Sequence, residues 1–311
     1  MRRALKRKIK KKYELNYIKL KDKFYFPVLE KMYYFFFLSD ADFNKKIYAE
    51  KFDKELDLVN PKTFSEKLIW LKIYDRTSLH TLCADKLAVR EYVKEKIGEE
   101  YLIPLVFSTK NVNDLTPENL PNFPIIIKTN HDSGSTQIIR DKKNIDWSLI
   151  HDRFKKSLTV NYYFYWREWQ YKNISPCIII EKLLLQENGS VPYDYKLHCF
   201  GGKVTYIQVH MDRETKHTRS FYDVNWNLLN IEDPYNKEKQ SPPPHQLSKM
   251  IKLAQRLSSP FTYVRIDFYE LDRKIYFGEF TFHPEGGYRK FTPEKWNLIF
   301  GKQLQLPIDS N

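Results

Sequence analysis

Two acidic residues on adjoining strands restrict this chain more than any other feature. Residues 263–288 read YVRIDFYELDRKIYFGEFTFHPEGGY, an alternation of apolar and polar residues that predicts a β-hairpin. Its polar positions are Arg265, Asp267, Glu279 and Thr281, followed by His283, Pro284, Glu285 and the pair Gly286-Gly287. Charged groups inside strands need partners, and two neighbouring carboxylates repel unless a cation lies between them. Hard divalent ions such as Mg²⁺ prefer carboxylate oxygen, so the hairpin is expected to hold a metal. Strand parity adds a condition. Asp267 and Glu279 share a face only if the turn around Leu271 and Asp272 holds an odd number of residues.

The 311 residues suffice for one large domain or two to three subdomains, and abundant aromatic residues with only 9 glycines mark a folded protein. Cys83, Cys177 and Cys199 form no CxxC and have no His spacing for zinc, which argues against a disulfide framework and fits a reducing cytoplasm. A net charge of +13 raises nucleic acid as a partner, but its distribution speaks against that. Residues 1–23 hold eleven Lys or Arg against Glu14 and Asp22, a net +9, which leaves only about +4 for the rest. After this arm, FYFPVLEKMYYFFFL puts Leu29, Met32, Tyr33, Phe36 and Phe37 on one helical face, with Pro27 near its start. Glu30 and Lys31 interrupt the run; it is too short to span a membrane and is not a secretory signal. Two readings stand: peripheral contact of residues 1–38 with an anionic membrane, or a solvated tail leading into a helix that packs on the body. The second is the leading one.

Further along, Asn60-Pro61 breaks the chain, and Thr63 with Glu66 predicts a capping box before Leu68, Ile69 and Trp70. A helix is expected over Asp85 to Lys96 and a strand over Tyr101 to Phe107. Strands are expected at 124–130, 137–140 and 177–184, with a helix at 147–158. From Tyr193 the pattern becomes antiparallel: DYKLHCF, a turn at Gly201-Gly202, then KVTYIQVHMDR, with a helix at about 246–257. The fold class is α+β.

In IIIKTNHDSGSTQII, Lys128 ends an apolar strand before Ser133, Gly134 and Ser135. Small residues let backbone N–H groups approach phosphate, and lysine supplies the charge, although such a hairpin is also an ordinary turn. No Walker A pattern is present. At the end of CIIIEKLL, Glu181 and Lys182 sit where exposed backbone can meet an adenine edge; a surface ion pair is the simpler alternative. Asp194, Lys196 and His198 share one strand face, suiting a ribose hydroxyl at Asp194 and a phosphate at Lys196. Arg213 and Arg265 can neutralise a transferring phosphoryl group or simply pair with Asp212, Glu214 or Asp267.

The order of these motifs resembles the ATP-grasp ligases. More narrowly, NPKTFSEKLIWLKIYDR, ADKLAVREYV, KTNHDSGS, DYKLHCFGGKV and VRIDFY…GEFTFHPEGG look like the TupA-like branch over about residues 40–300. That branch is associated with teichuronopeptide, capsule and other bacterial surface polysaccharide synthesis. The resemblance implies two α+β subdomains clamping ATP, with a helical N-terminal extension. It divides the chain into an arm with an aromatic helix (1–39), a helical region (40–100), a small lid subdomain (101–180) and a large subdomain with the metal hairpin (181–311). It places Lys86 and Lys128 near the phosphates or adenine, and the Ser133-Gly134-Ser135 turn over them. Glu181, Lys182 and Leu183 would meet adenine, Asp194 the ribose, and Asp267 and Glu279 Mg²⁺. Thr281 stands where many such enzymes have Asn. Lys196, Arg213 and Arg265 would stabilise the charge as a carboxylate attacks the γ-phosphate and an amine displaces the acyl phosphate. His283 and Glu285 would contact substrate, or else pack around the glycine pair.

Implied partners are small-molecule or saccharide carboxylates and amines, together with polysaccharide-synthesis enzymes, in the cytoplasm or at the inner face of the membrane. A glycosyltransferase of the same pathway is the alternative activity, but Asp272 has no acidic partner two residues away and Asp194-x-Lys196 is not a DxD. A non-catalytic membrane scaffold would leave the acidic pair without a reason.

Overall fold

The computed structural model describes residues 38–233 and 240–307. The chain divides into two units, residues 1–56 and 57–311. In the first, helix α1 (Asp40–Phe52) starts where Ser39 Oγ accepts from the Asp42 N–H at 3.0 Å and stops where Asp53 turns left-handed, φ 54°. The basic arm and the aromatic face from Leu29 to Phe37 lie outside the described residues, and so does the membrane contact expected from them. Among the described residues no helix is long and apolar enough to cross a membrane.

The second unit opens with α2 (Phe64–Tyr74), closed by the expected box: the Thr63 hydroxyl accepts from the Glu66 N–H at 3.2 Å, and the Glu66 carboxylate accepts from the Thr63 N–H at 2.8 Å. Helices α3 (Ser78–Ala84) and α4 (Val89–Ile97) follow. Helix α4 starts later than the Asp85 expected because the Asp85 carboxylate accepts from the Leu87 and Ala88 N–H groups at 2.8 and 3.2 Å, holding a local turn. The strand expected from Tyr101 also starts late, as β1 (Leu105–Thr109). Pro104 has no N–H for the ladder, although its carbonyl accepts from Lys182 at 3.0 Å.

Strands β1, β2 (Ile125–Thr129), β3 (Thr136–Ile139) and β4 (Ile178–Lys182) form an antiparallel sheet in the order β1-β4-β2-β3. The two isoleucine runs have one cause. Ile125, Ile127, Ile178 and Ile180 bury against Ile150 and Phe154 of helix α5 (Trp147–Leu158), each burial stabilising by roughly 1.5–3 kcal/mol. A four-residue helix, α6 (Tyr163–Trp166), leads toward β4.

The second sheet has the order β7-β6-β5-β8-β9, from β5 (Asp194–Phe200), β6 (Lys203–Met211), β7 (Thr218–Tyr222), β8 (Tyr263–Leu271) and β9 (Lys274–Thr281), all antiparallel. Its apolar face, with Tyr195, Leu197, Cys199, Ile207, Val209, Ile266 and Phe268, packs in one core with Met250, Leu253 and Leu257 of α7 (Leu247–Ser258) and with Val93 of α4. Alternation then turns Asp194, Lys196 and His198 the other way. Helix α8 (Lys295–Gln303) follows the last strand.

The β8–β9 hairpin corrects the parity expectation. Leu271 pairs with Lys274 across a two-residue turn, Asp272-Arg273, with φ of 51° and 58°, the primed geometry that suits strand twist. An even turn alone would put Glu279 on the face opposite Asp267. Instead β9 carries one extra residue, Gly278, between the pairs Phe268–Phe277 and Asp267–Glu279, and this bulge brings the two carboxylates onto one face. Glycine suits the position because a Cβ would lie 3.0 Å from the Tyr269 ring and 3.1 Å from the Asp267 carbonyl oxygen, closer than ordinary van der Waals contact.

Candidate active site

Register places Lys196, Asp267 and Glu279 side by side on β5, β8 and β9, with His198, Arg265 and Thr281 in the adjoining row. Asp267 is buried and surrounded by cations. Arg265 donates through Nε to Asp267 Oδ1 at 2.6 Å and through Nη2 to Oδ2 at 2.7 Å, while Lys196 Nζ bonds the same carboxylate. The Arg265 Nη2 also reaches Glu279 Oε1 at 3.2 Å and Thr281 Oγ1 at 2.9 Å. Lys196 pairs with Asp194 at 2.7 Å, and the half-exposed Arg213 donates to that carboxylate at 2.8 Å. The ion pairing foreseen for Arg265 with Asp267 is therefore present, whereas Arg213 pairs with Asp194 rather than Asp212 or Glu214.

The four-stranded sheet and the turn before α4 contribute the other cations. Lys86, just before α4, donates to the Asp132 carbonyl, and Lys128 of β2 forms an ion pair with Glu181 of β4 at 2.7 Å. Burial disfavours the charged form of Glu279, but Lys196, Arg265, Lys86 and Lys128 outweigh it and hold this carboxyl at about 2. Lys196 and Arg265 of the second sheet, Lys128 of the first and Lys86 before α4 thus all act electrostatically on one carboxylate.

The segment after β2 is anchored at its base and open at its tip. The Asn130 side chain donates to Asp85 Oδ1 at 2.9 Å and accepts from the Cys177 N–H at 2.7 Å, and Ser135 Oγ bonds Asp132. Ser133 and Gly134 are exposed; Gly134 has φ 98° and nothing within 4 Å of where a Cβ would stand.

Other expectations need correction. Glu181 is buried, paired with Lys128 and with Arg90 at 3.1 Å, and is no surface residue. Lys182 is exposed, and the N–H groups of Lys182 and Leu183 already bond the Pro104 and Pro124 carbonyls at 3.0 and 2.9 Å. Neither N–H group is free for an adenine edge. Glu285 turns outward, left-handed at φ 54°, and pairs with Arg289 at 2.8 Å. His283 is buried beside Gln170, 3.3 Å from its Nε2, and 3.8 Å from Glu168. Burial, with Lys72 and His80, holds its imidazole well below the usual range, hence neutral.

Sequence reasoning missed Glu168. Buried in the aromatic run at 161–171, it has its carboxyl pushed up to about 7 by burial, against the pull of Lys72, Gln170 and Arg265. A single acid inside YYFYWREWQY was the available signal. Lys72, fully buried on α2, ties this run to the glycine pair by donating to the Trp166 and Gly286 carbonyls at 3.0 and 2.6 Å.

Among the described residues no three or more His, Cys, Asp or Glu cluster to hold a metal. That does not exclude Mg²⁺, which commonly takes one or two protein carboxylates and completes its shell with phosphate and water. The facing pair Asp267 and Glu279, with the Thr281 hydroxyl beside them, fits such a donor set.

The model for TupA-like ATPgrasp proteins matches residues 66–305. The chain belongs to the TupA-like ATP-grasp family. With that membership come the ATP-grasp α+β fold, an ATP-dependent ligase as enzyme class, and ATP as its nucleotide. Similar solved structures include the Bacillus anthracis D-alanine–D-alanine ligase at 18% identity and TM-score 0.42, covering 71% of this chain and 66% of that one. The Helicobacter pylori D-alanine–D-alanine ligase aligns at 16% identity and TM-score 0.39, covering 78% and 69%. The ATP-grasp ligase PsnB, with Mg and ADP, aligns at 8% identity and TM-score 0.41, covering 76% and 65%. The chain thus spans about two thirds of the length of these ligases. A search of curated proteins gave no match.

Proposed function

We propose that this TupA-like ATP-grasp protein joins a carboxylate to an amine through an acyl phosphate, and that it modifies a bacterial surface polysaccharide or its precursor with an amino acid or amine. The observation that carries the reading is the convergence of Lys86, Lys128, Lys196 and Arg265 on Glu279, the partner of Asp267 across the bulged hairpin. An anionic nucleophile approaching a triphosphate needs such a concentration of positive charge.

Asp267 and Glu279, with Thr281, would hold Mg²⁺, which when bound neutralises phosphate oxygens and orients them. Lys86 and Lys128 would bind phosphate beneath the Ser133-Gly134-Ser135 turn. Lys196 and Arg265, which both pair with Asp267, would stabilise the charge on the transferring phosphoryl group. Arg213 would add charge from the edge, Asp194 would take the ribose, and the strand end at Glu181, Lys182 and Leu183 would meet adenine. The substrate carboxylate oxygen bonds to the γ-phosphorus as the bond to ADP breaks; the amine then displaces phosphate and gives up a proton to form the amide. The basic arm at 1–23 would hold the enzyme at an anionic membrane face, where polysaccharide-synthesis enzymes work.

Thermal stabilisation by Mg·ATP and not by UDP-sugars is the expected result for the purified protein; the reverse would favour a glycosyltransferase. An ADP-release screen of uronic acids, sugar nucleotides and amino acids then identifies the substrates. For the arm, deleting residues 1–23 weakens salt-sensitive binding to anionic liposomes, and unchanged binding rules the membrane role out.

A further inference from the structure

The loop between β6 and β7 is fastened to both sheets. Its Asp212 carbonyl accepts from the Thr215 N–H at 3.0 Å, closing a four-residue turn with Arg213 and Glu214 at the two central positions. Arg213 donates to Asp194 of the second sheet at 2.8 Å. Glu214 engages Arg140, the residue that follows β3 of the first sheet: Nη2 of Arg140 donates to Oε1 and Oε2 of Glu214 at 2.9 and 2.8 Å. Neighbouring side chains of one tight turn therefore hold the two sheets.

Arg140 holds a second point as well. Its Nη1 donates at 2.8 Å to the Gly189 carbonyl, in the connection that carries the chain from β4 of the first sheet to β5 of the second. That connection is itself a tight turn. The Gln186 N–H donates to the Ser190 carbonyl at 2.8 Å and the Gly189 N–H to the Gln186 carbonyl at 2.9 Å, with Gly189 left-handed at φ 80°. One guanidinium after β3 thus ties three segments together, which its fixed fork of donors allows and a lysine ammonium would do less well.

Neither Arg140 nor Glu214 touches the groups assigned to phosphate, metal or adenine. Lys128 of the first sheet and Lys196 and Arg265 of the second all act on Glu279, so a nucleotide bound there is held by both sheets. Parting the sheets to release it strains the contacts of Arg140. With side chains 43% and 34% exposed, the Arg140–Glu214 pair is open to solvent ions, and salt weakens it.

We propose that Arg140 and Glu214 form a salt-sensitive latch between the two sheets that sets how fast the nucleotide leaves. Both are positioning residues, and the latch rests on the nucleotide site proposed above.

The test measures Mg·ADP dissociation from the immobilised full chain by surface plasmon resonance. Two salt levels are compared, about 0.1 and about 1 M NaCl, between which the screening length falls from about 10 to about 3 Å. Arg140→Ala and Glu214→Gln should each speed release by about threefold at the lower salt, the scale of an exposed ion pair. The double variant should be no faster than Arg140→Ala alone, because the two side chains form one contact. Salt should speed release more steeply from wild type than from either variant. Adding Glu214→Arg to Arg140→Glu should slow release relative to Arg140→Glu alone, since the swap restores an attractive pair. Wild-type release rates in both single variants overturn the latch, and so does a double variant in which the two effects multiply; either result leaves the nucleotide site standing. Failure of the wild-type protein to bind Mg·ADP removes the nucleotide site, and the latch with it.

Discussion

The two hairpins of the candidate site, β2–β3 and β8–β9, are built on opposite plans. The β8–β9 hairpin fixes its chemistry by crowding: Gly278 leaves little room for a Cβ, Asp267 is buried among cations, and each polar side chain in the row has a partner. The β2–β3 connection is fastened at its base through Asn130 and Asp132, while Ser133 and Gly134 lie exposed with open space around the glycine. One hairpin holds charge in place before any ligand arrives, and the other presents an exposed tip. Preorganised charge is what stabilises a phosphoryl group in transfer.

The contrast can be broken most forcefully at its rigid side. Gly278→Val should abolish ADP formation, because a branched side chain cannot fit 3.0 Å from the Tyr269 ring without undoing the bulge that aligns Asp267 with Glu279. Wild-type activity with an intact fold would show that the bulge is dispensable. Asp267→Asn comes next: it leaves Arg265 and Lys196 without their buried counter-charge, and a loss of about 3 kcal/mol in denaturant unfolding should accompany the loss of turnover. A smaller effect is expected at Glu168. Its folded-state carboxyl titrates near 7, above the usual 4.5, so the folded form holds the proton more tightly. Stability from this group is present below about 4.5 and is lost as pH rises to 7; Glu168→Gln should flatten that part of the melting profile, and an unchanged profile would contradict the assignment. At the open hairpin, Gly134→Ala meets no neighbour but must adopt φ 98°, so about 1 kcal/mol of local strain and a modest fall in nucleotide affinity are expected, measured by calorimetry.

The sequence carried most of the second sheet because alternation there is strict: the positions read as polar, Asp194, Lys196, Arg265, Asp267, Glu279 and Thr281, share one face in the register. It misled on the turn. Counting residues cannot reveal a bulge, and the signal that could have, a lone glycine inside a strand, was passed over at Gly278. Strand and helix starts slipped where a side chain or a proline competes with the backbone, at Asp85 and Pro104. Glu168 stayed hidden because its environment depends on residues far away in the chain, Lys72 and Arg265.

The most direct test of the account is the Mg²⁺ dependence of ADP binding, measured by calorimetry on wild-type protein and on Glu279→Gln. Mg²⁺ should strengthen ADP binding to wild type by about tenfold or more, and Glu279→Gln should lose that gain while still binding ADP in the absence of the metal. Full Mg²⁺ enhancement in Glu279→Gln would mean that the paired carboxylates of the bulged hairpin are not the metal end of an ATP site.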